Sequence, residues 1–117
     1  MATGLSLTLD TQVLARFMPM HLVLDAEGRV LSAGPTLARV LQGQCLPGAR
    51  FEDLFEVRSP GGAVRVDEVL ARAGHRFRLV ARGGVRAGLR GLGHRLADGR
   101  VLLNLSFGID LIDAVRD

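Results

Sequence analysis

The chain has 117 residues, 48% of them hydrophobic, 23% charged and 4% aromatic, and 15 Lys+Arg against 12 Asp+Glu give a net charge of +3. These proportions exclude a disordered chain. The length suits one domain over 1–117, able to close a core without metal or disulfide staples. With no Trp, no Tyr and only Phe 5 among the aromatics, that core has to be built of Leu, Val and Ala. Few rings remain for stacking on bases or flavins. Cys45 stands alone, so no internal disulfide forms, and the sequence fits a reducing, cytoplasmic compartment. No secretory leader and no membrane-length apolar run is present.

Residues 1–9 alternate, with Leu5, Leu7 and Leu9 on one side, which predicts a strand-like arm. Asp10 or Thr11 then caps a short helix to about residue 16, and Pro19 ends it. Arm and helix together occupy 1–18, and Val13, Leu14 and Phe17 share one helical face. Residues 20–25 and 29–33 predict a hairpin, with DAEG as its turn and Gly28 free to adopt a positive φ. Gly34-Pro35 opens a second helix that buries Leu37, Ala38, Val40 and Leu41. LPGARFEDLFEV places Phe51, Leu54 and Phe55 at helical spacing, and RSPGGAV reads as a loop. VRVDEVLARAG predicts a helix with Val66, Val69, Leu70 and Ala73 inward.

The period then changes from helical to two. RFRLVARGG alternates Phe77, Leu79 and Ala81 against Arg76, Arg78, Val80 and Arg82. AGLRGLGHRL reads as a weaker strand, loosened by its glycines. ADGR is a turn, and VLLNLSFGI is the most apolar strand, expected at the centre of the sheet. DLIDAVRD starts an exit helix over 110–117. Strands joined by hairpin-length connections predict a mainly antiparallel α+β layer fold.

The chemistry-bearing residues form no catalytic constellation. Glu52-Asp53 and Asp67-Glu68 are neighbours that point about 100° apart on a helix and read as solvated surface. His21, His75 and His94 match no zinc-ligand spacing. His75 follows a helix C-terminus, where a cation is mildly favourable, and a haem axial ligand is the other reading of it. His21 is either a ligand or a structural residue on an apolar strand. Between Arg72 and Arg100 there are eight Arg and one acid. Their strand spacing and the scarcity of aromatics favour an outward sheet face or an acidic partner surface over nucleic acid.

The stretch LSLTLDTQVLARFMPMHLVLDAEGRVLSAGPTLARVL resembles the opening of the H-NOX-associated domain. That is the PAS-like module following the haem-NO-binding domain in soluble guanylate cyclases, and it occurs in bacterial signalling proteins. In that family a Phe, a Pro and a His lead into an apolar strand ending in Asp, and Phe17, Pro19, His21 and Asp25 stand in those places. The second strand ends in Gly and is followed by Leu-x-Arg-Val-Leu, matched by Gly34 and by Leu37, Arg39, Val40 and Leu41. FRL at 77–79 and LRGL at 89–92 resemble its third and fourth strands, and VLLNLSFGIDLID resembles its last strand and exit. Met18 and Met20 depart from the aromatics more usual there, and Gly91 and Gly93 depart from a Lys-Gly-Gln type sequence.

The resemblance implies a PAS-like fold: a five-stranded antiparallel sheet in the order 2-1-5-4-3, with short helices on one face. It also implies a non-enzymatic relay module; the residues themselves lead to no expectation of a metal, nucleic acid, membrane or cofactor. Such a module pairs with a second copy or a paralogue, a homodimer being the expectation here, and couples an H-NOX sensor to a histidine kinase or nucleotide cyclase. The expected pairing face is Leu5, Leu7, Leu9, Val13, Leu14 and Phe17, the other reading being that one chain folds this face onto its own sheet. His21 is then one letter of a structural entry motif, capping the first strand or bonding to the helix before it. The alternative is a PAS sensor holding haem or a small molecule between sheet and helices, with His75 and Asn104 as polar anchors.

Overall fold

The computed structural model describes residues 10–42, 47–73, 76–82 and 88–108. Helix α1 spans Thr11–Phe17, and the Asp10 side chain caps it by accepting the Val13 N–H at 2.9 Å. The N–H of Met18 donates to the Leu14 carbonyl at 2.7 Å, and Pro19 follows, where no further helical bond can form. Strands β1 (His21–Leu24) and β2 (Val30–Ala33) make the hairpin. Gly28 sits in its turn at φ 84, a conformation that side chains resist.

Pro35 occupies the first turn of α2 (Pro35–Val40), which buries Leu37 and Val40. Helix α3 is Phe51–Leu54, followed directly by β3 (Phe55–Ser59). Helix α4 spans Val66–Ala73. The carboxylate of Glu68 accepts the N–H groups of Arg65 and Val64 at 3.0 and 3.2 Å, which closes the start of α4 as half of a capping box. Glu68 therefore does more than solvate a helix face. Strands β4 (Arg76–Ala81), β5 (Gly88–Arg95) and β6 (Val101–Phe107) complete the set.

The six strands form one antiparallel sheet in the order β2-β1-β6-β5-β4-β3. The resemblance implied five strands. The additional one is β3, at the edge, and without it the order is the expected one. Helical spacing of Phe51, Leu54 and Phe55 hid this strand. The helix stops at Leu54, Phe55 is extended at φ -134 and ψ 144, and the chain pairs with β4 through Phe55↔Ala81 and Val57↔Leu79. Arg58 and Ser59, expected in a loop, belong to this strand.

Strand β6 is central, between β1 and β5, as its apolar sequence predicts. Its Val101, Leu103 and Leu105 face the core, with Leu22 and Leu24 of β1 and Leu79 of β4. Helices α2, α3 and α4 contribute Leu37, Val40, Phe51, Leu54, Val66 and Val69 to the same core. The rings of Phe51 and Phe55 stack tilted at 5.5 Å.

Strand β5 is not the loose strand its glycines suggest. It runs eight residues and alternates, with Leu89, Gly91 and Gly93 turned to the core. A β-carbon at position 91 would lie under 3.0 Å from the ring of Phe77, so the missing side chain makes room for that ring. The glycines here are packing residues.

Candidate functional site

The entry to the sheet, Met18 to His21, is densely hydrogen-bonded. Each of four successive carbonyls accepts from a different part of the chain. The Met18 carbonyl accepts the backbone N–H of His21 at 2.9 Å and also its ring. The Pro19 carbonyl accepts Thr36 and Leu37 N–H at 3.0 and 3.2 Å, so it closes the start of α2. The Met20 carbonyl accepts Leu105 N–H of β6 at 3.2 Å, and the His21 carbonyl accepts Gly34 N–H at 2.9 Å. One short segment thus ties the end of α1 to β6, to the end of β2 and to the start of α2.

Gly34 is required by this arrangement for space rather than torsion. Its φ is an ordinary -67. A β-carbon there would lie under 3.0 Å from the carbonyl of Pro19. The Gly expected after the second strand is therefore the residue that lets α2 approach the entry segment.

His21 lies 1% exposed. Its Nδ1 is 2.9 Å from the Met18 carbonyl oxygen and its Nε2 is 3.1 Å from the Ser32 hydroxyl. A carbonyl only accepts, so Nδ1 carries a proton and donates to Met18, while Nε2 shares a hydrogen bond with the Ser32 hydroxyl. Both ring nitrogens are engaged in holding α1 and β2 to the first residue of β1. Among the described residues no group of three or more His, Cys, Asp or Glu is placed to hold a metal ion.

His21 and Val23 alternate away from Leu22 and Leu24, yet all four are buried. Strand β1 is therefore covered on both faces. The ring bond to the C-cap of α1 places the end of that helix over the second face. Leu14 and Val23, at 8% exposure each, are the two buried apolar residues among those described that lie outside the main core cluster. Leu14 is thus turned into its own chain, Val13 is half-buried, and Phe17 is 75% exposed. Leu5, Leu7 and Leu9 of the expected pairing face lie outside the described residues, as do His75, Cys45 and the exit helix over 110–117.

Asp25 completes the entry motif. Its Oδ1 accepts Glu27 N–H at 2.8 Å and Arg29 N–H at 2.9 Å, fixing the hairpin turn. The Arg29 N–H, with those of Glu27 and Gly28, holds its carboxyl below the ordinary 3.8. The N–H of Arg100 does the same for Asp98 in the β5–β6 turn. Backbone N–H groups of Arg65 and Val64 lower Glu68.

Asn104 does not lie between sheet and helices. It is exposed on the opposite face of β6, in register with His21, so it cannot anchor a ligand under the helices. The arginine-rich stretch divides in two. Arg95 pairs with Asp67 at 2.6 Å, Arg100 with Asp98 at 2.7 Å and Arg72 with Glu68 at 4.0 Å. Arg76, Arg78 and Arg90 line the exposed face beside Asn104. No helix among the described residues is long and apolar enough to cross a membrane.

Comparison with known proteins bears on this geometry. A family model described as heme NO binding associated matches residues 7–88. The PAS domain of a Desulfitobacterium hafniense protein superposes with a TM-score of 0.50 at 16% identity, covering 83% of this chain and 99% of that one. The E. coli DhaR(N)-DhaL complex contains a chain that superposes with a TM-score of 0.52 at 14% identity, covering 84% of this chain and 34% of that one. The chain thus spans about a third of that neighbour's length. At these identities the two neighbours establish a PAS-like fold. Comparison with curated proteins gives no match.

Proposed function

The chain belongs to the heme NO binding associated family, and from that premise we propose that it is a non-enzymatic relay module. It pairs with a second copy through the surface bearing Phe17, and it passes a change from an upstream haem-NO-type sensor to a downstream histidine kinase or nucleotide cyclase. It does so without a cofactor of its own.

The observation that carries this reading is the wiring of residues 18–21. Incoming helix α1 is bonded through Met18 and His21 to β1, and β1 lies against β6, the last strand among the described residues. His21 stands opposite Asn104, and Met20 accepts from Leu105, so entry and exit are adjacent. A displacement of α1 has a short, hydrogen-bonded route to the exit, through a packed core that resists gradual deformation.

Two further features support the reading. Phe17 projects a large apolar ring into solvent from the helix that meets this junction, and a symmetric pair would bury it twice. Leu22 and Leu103 of the sheet and Leu37, Leu41 and Phe51 of the helical side are all 0% exposed, which supports an apolar layer between sheet and helices. The neighbour in the DhaR(N)-DhaL complex belongs to an assembly of two proteins, which supports the use of this fold for partner binding.

Sedimentation velocity tests the pairing. The protein is expected to run as a dimer at micromolar concentration and Phe17→Asp as a folded monomer. A wild-type monomer at all concentrations, or a Phe17→Asp dimer, contradicts the proposal.

A further inference from the structure

Helix α2 starts without a cap of its own. Its N-cap is Gly34, which has no side chain to accept a hydrogen bond, and Pro35 follows with no N–H. Thr36 and Leu37 then carry the N–H groups that a capping serine or aspartate ordinarily satisfies. Both donate instead to the Pro19 carbonyl, at 3.0 and 3.2 Å. A β-carbon at position 34 would lie under 3.0 Å from that carbonyl, so a side-chain cap has no room there. The cap of α2 therefore comes from outside the helix.

Pro19 immediately follows Met18, the C-cap of α1. The Met18 N–H donates to Leu14, and the Met18 carbonyl accepts the N–H and the ring of His21. The two helices lie against opposite faces of the sheet. Leu37 and Val40 of α2 belong to the main core cluster, whereas Leu14 of α1 and Val23 of β1 are buried outside it. The segment that ends α1 on one face thus begins α2 on the other. At six residues, α2 is too short to hold its first turn without tertiary support.

We propose that α1 controls the order of α2 across the sheet. The first turn of α2 forms when α1 is seated and frays when α1 is displaced, so the two helix ends open as one local unit. The coupling is intrinsic to one chain and needs no ligand. Only its use, as a second output on the core side beside the route to β6, rests on the relay reading.

Amide hydrogen exchange on the intact protein, read by NMR, tests this. Leu14→Ala weakens the seating of α1 on the face away from α2, and Asp10→Ala removes the N-cap bond to Val13. In both variants the Thr36 and Leu37 amides should exchange at least about threefold faster than in the wild type, together with those of Met18 and His21. The amides of Gly28 and Gly99, bonded in their turns to the Asp25 and Leu96 carbonyls, should keep wild-type rates. Should Leu14→Ala fail to fold, Asp10→Ala at the exposed helix start decides. A monomer in sedimentation leaves the exchange result untouched, so this proposal and the pairing reading fail separately. The proposal is overturned if Thr36 and Leu37 exchange at wild-type rates in the folded variants, or if Gly28 and Gly99 accelerate as much as they do.

Discussion

Gly34→Ala isolates the close approach on which the entry junction depends. The backbone at position 34 already has φ -67 and ψ 156, which alanine adopts without strain. In open surroundings the change would stabilise by about 0.4–1 kcal/mol through the unfolded chain. Here the new β-carbon would lie under 3.0 Å from the backbone carbonyl of Pro19, which is not a flexible side-chain tip. Making room means separating the start of α2 from Pro19. That breaks the Thr36 and Leu37 bonds to its oxygen and disturbs the Gly34 bond to His21. Three such bonds are worth about 1 kcal/mol each net. After subtracting the alanine gain, a loss of about 2 kcal/mol is expected. Urea denaturation followed by circular dichroism measures it, with Gly61→Ala as comparator because nothing lies within 4 Å of a β-carbon there. Gly34→Ala with wild-type or higher stability would refute the reasoning, since only the steric argument separates the two sites.

Other outcomes follow from the same geometry. His21→Ala removes the ring from Met18 and Ser32 and leaves a hole under α1. A loss of about 2 kcal/mol is expected by thermal or urea unfolding, and wild-type stability would mean the motif histidine is not structural. Gly91→Ala drives a methyl group into the buried Phe77 ring and should destabilise by about 1–3 kcal/mol. Phe77→Leu should recover part of that loss, and a double-mutant cycle with no coupling would contradict the contact.

Acid should also weaken the fold. Asp25, Glu68 and Asp98 titrate below their ordinary 3.8, 4.5 and 3.8 when folded. The unfolded chain therefore takes up protons first as pH falls. Their contribution is complete above those ordinary values and is lost as pH drops through the folded ones. The urea midpoint should fall between about pH 6 and about pH 3. Asp25→Asn with Glu68→Gln and Asp98→Asn should flatten that dependence, and an unchanged slope in the triple variant would count against the turn and cap bonds.

Much of the fold was legible because its signals are local. Asp10 capping, the Gly28 and Asp98-Gly99 turns, Pro35 at a helix start and the alternation of Phe77, Leu79 and Ala81 need only a few neighbouring residues. What escaped needs partners distant in sequence. Strand β3 was hidden because Phe51, Leu54 and Phe55 fit a helical period, although Glu56 and Arg58 alternate with Phe55 and Val57 as a strand should. Gly91 reads as a weakness until Phe77 is seen beside it. Asn104 could have been assigned to the outer face from its alternation with Leu103 and Leu105. The arginine face beside Asn104 exists only once β4, β5 and β6 are in register. At the entry motif, the family resemblance implied a structural role for His21, but not four carbonyls joining four elements.

Disulfide cross-linking tests the pairing relay most directly. Phe17→Cys and Val64→Cys are each introduced into a Cys45→Ser background, at positions 75% and 52% exposed on different parts of the surface. Rapid, near-complete cross-linking of Phe17→Cys with little at Val64→Cys is the result the relay account predicts. Equal slow cross-linking at both positions would contradict it.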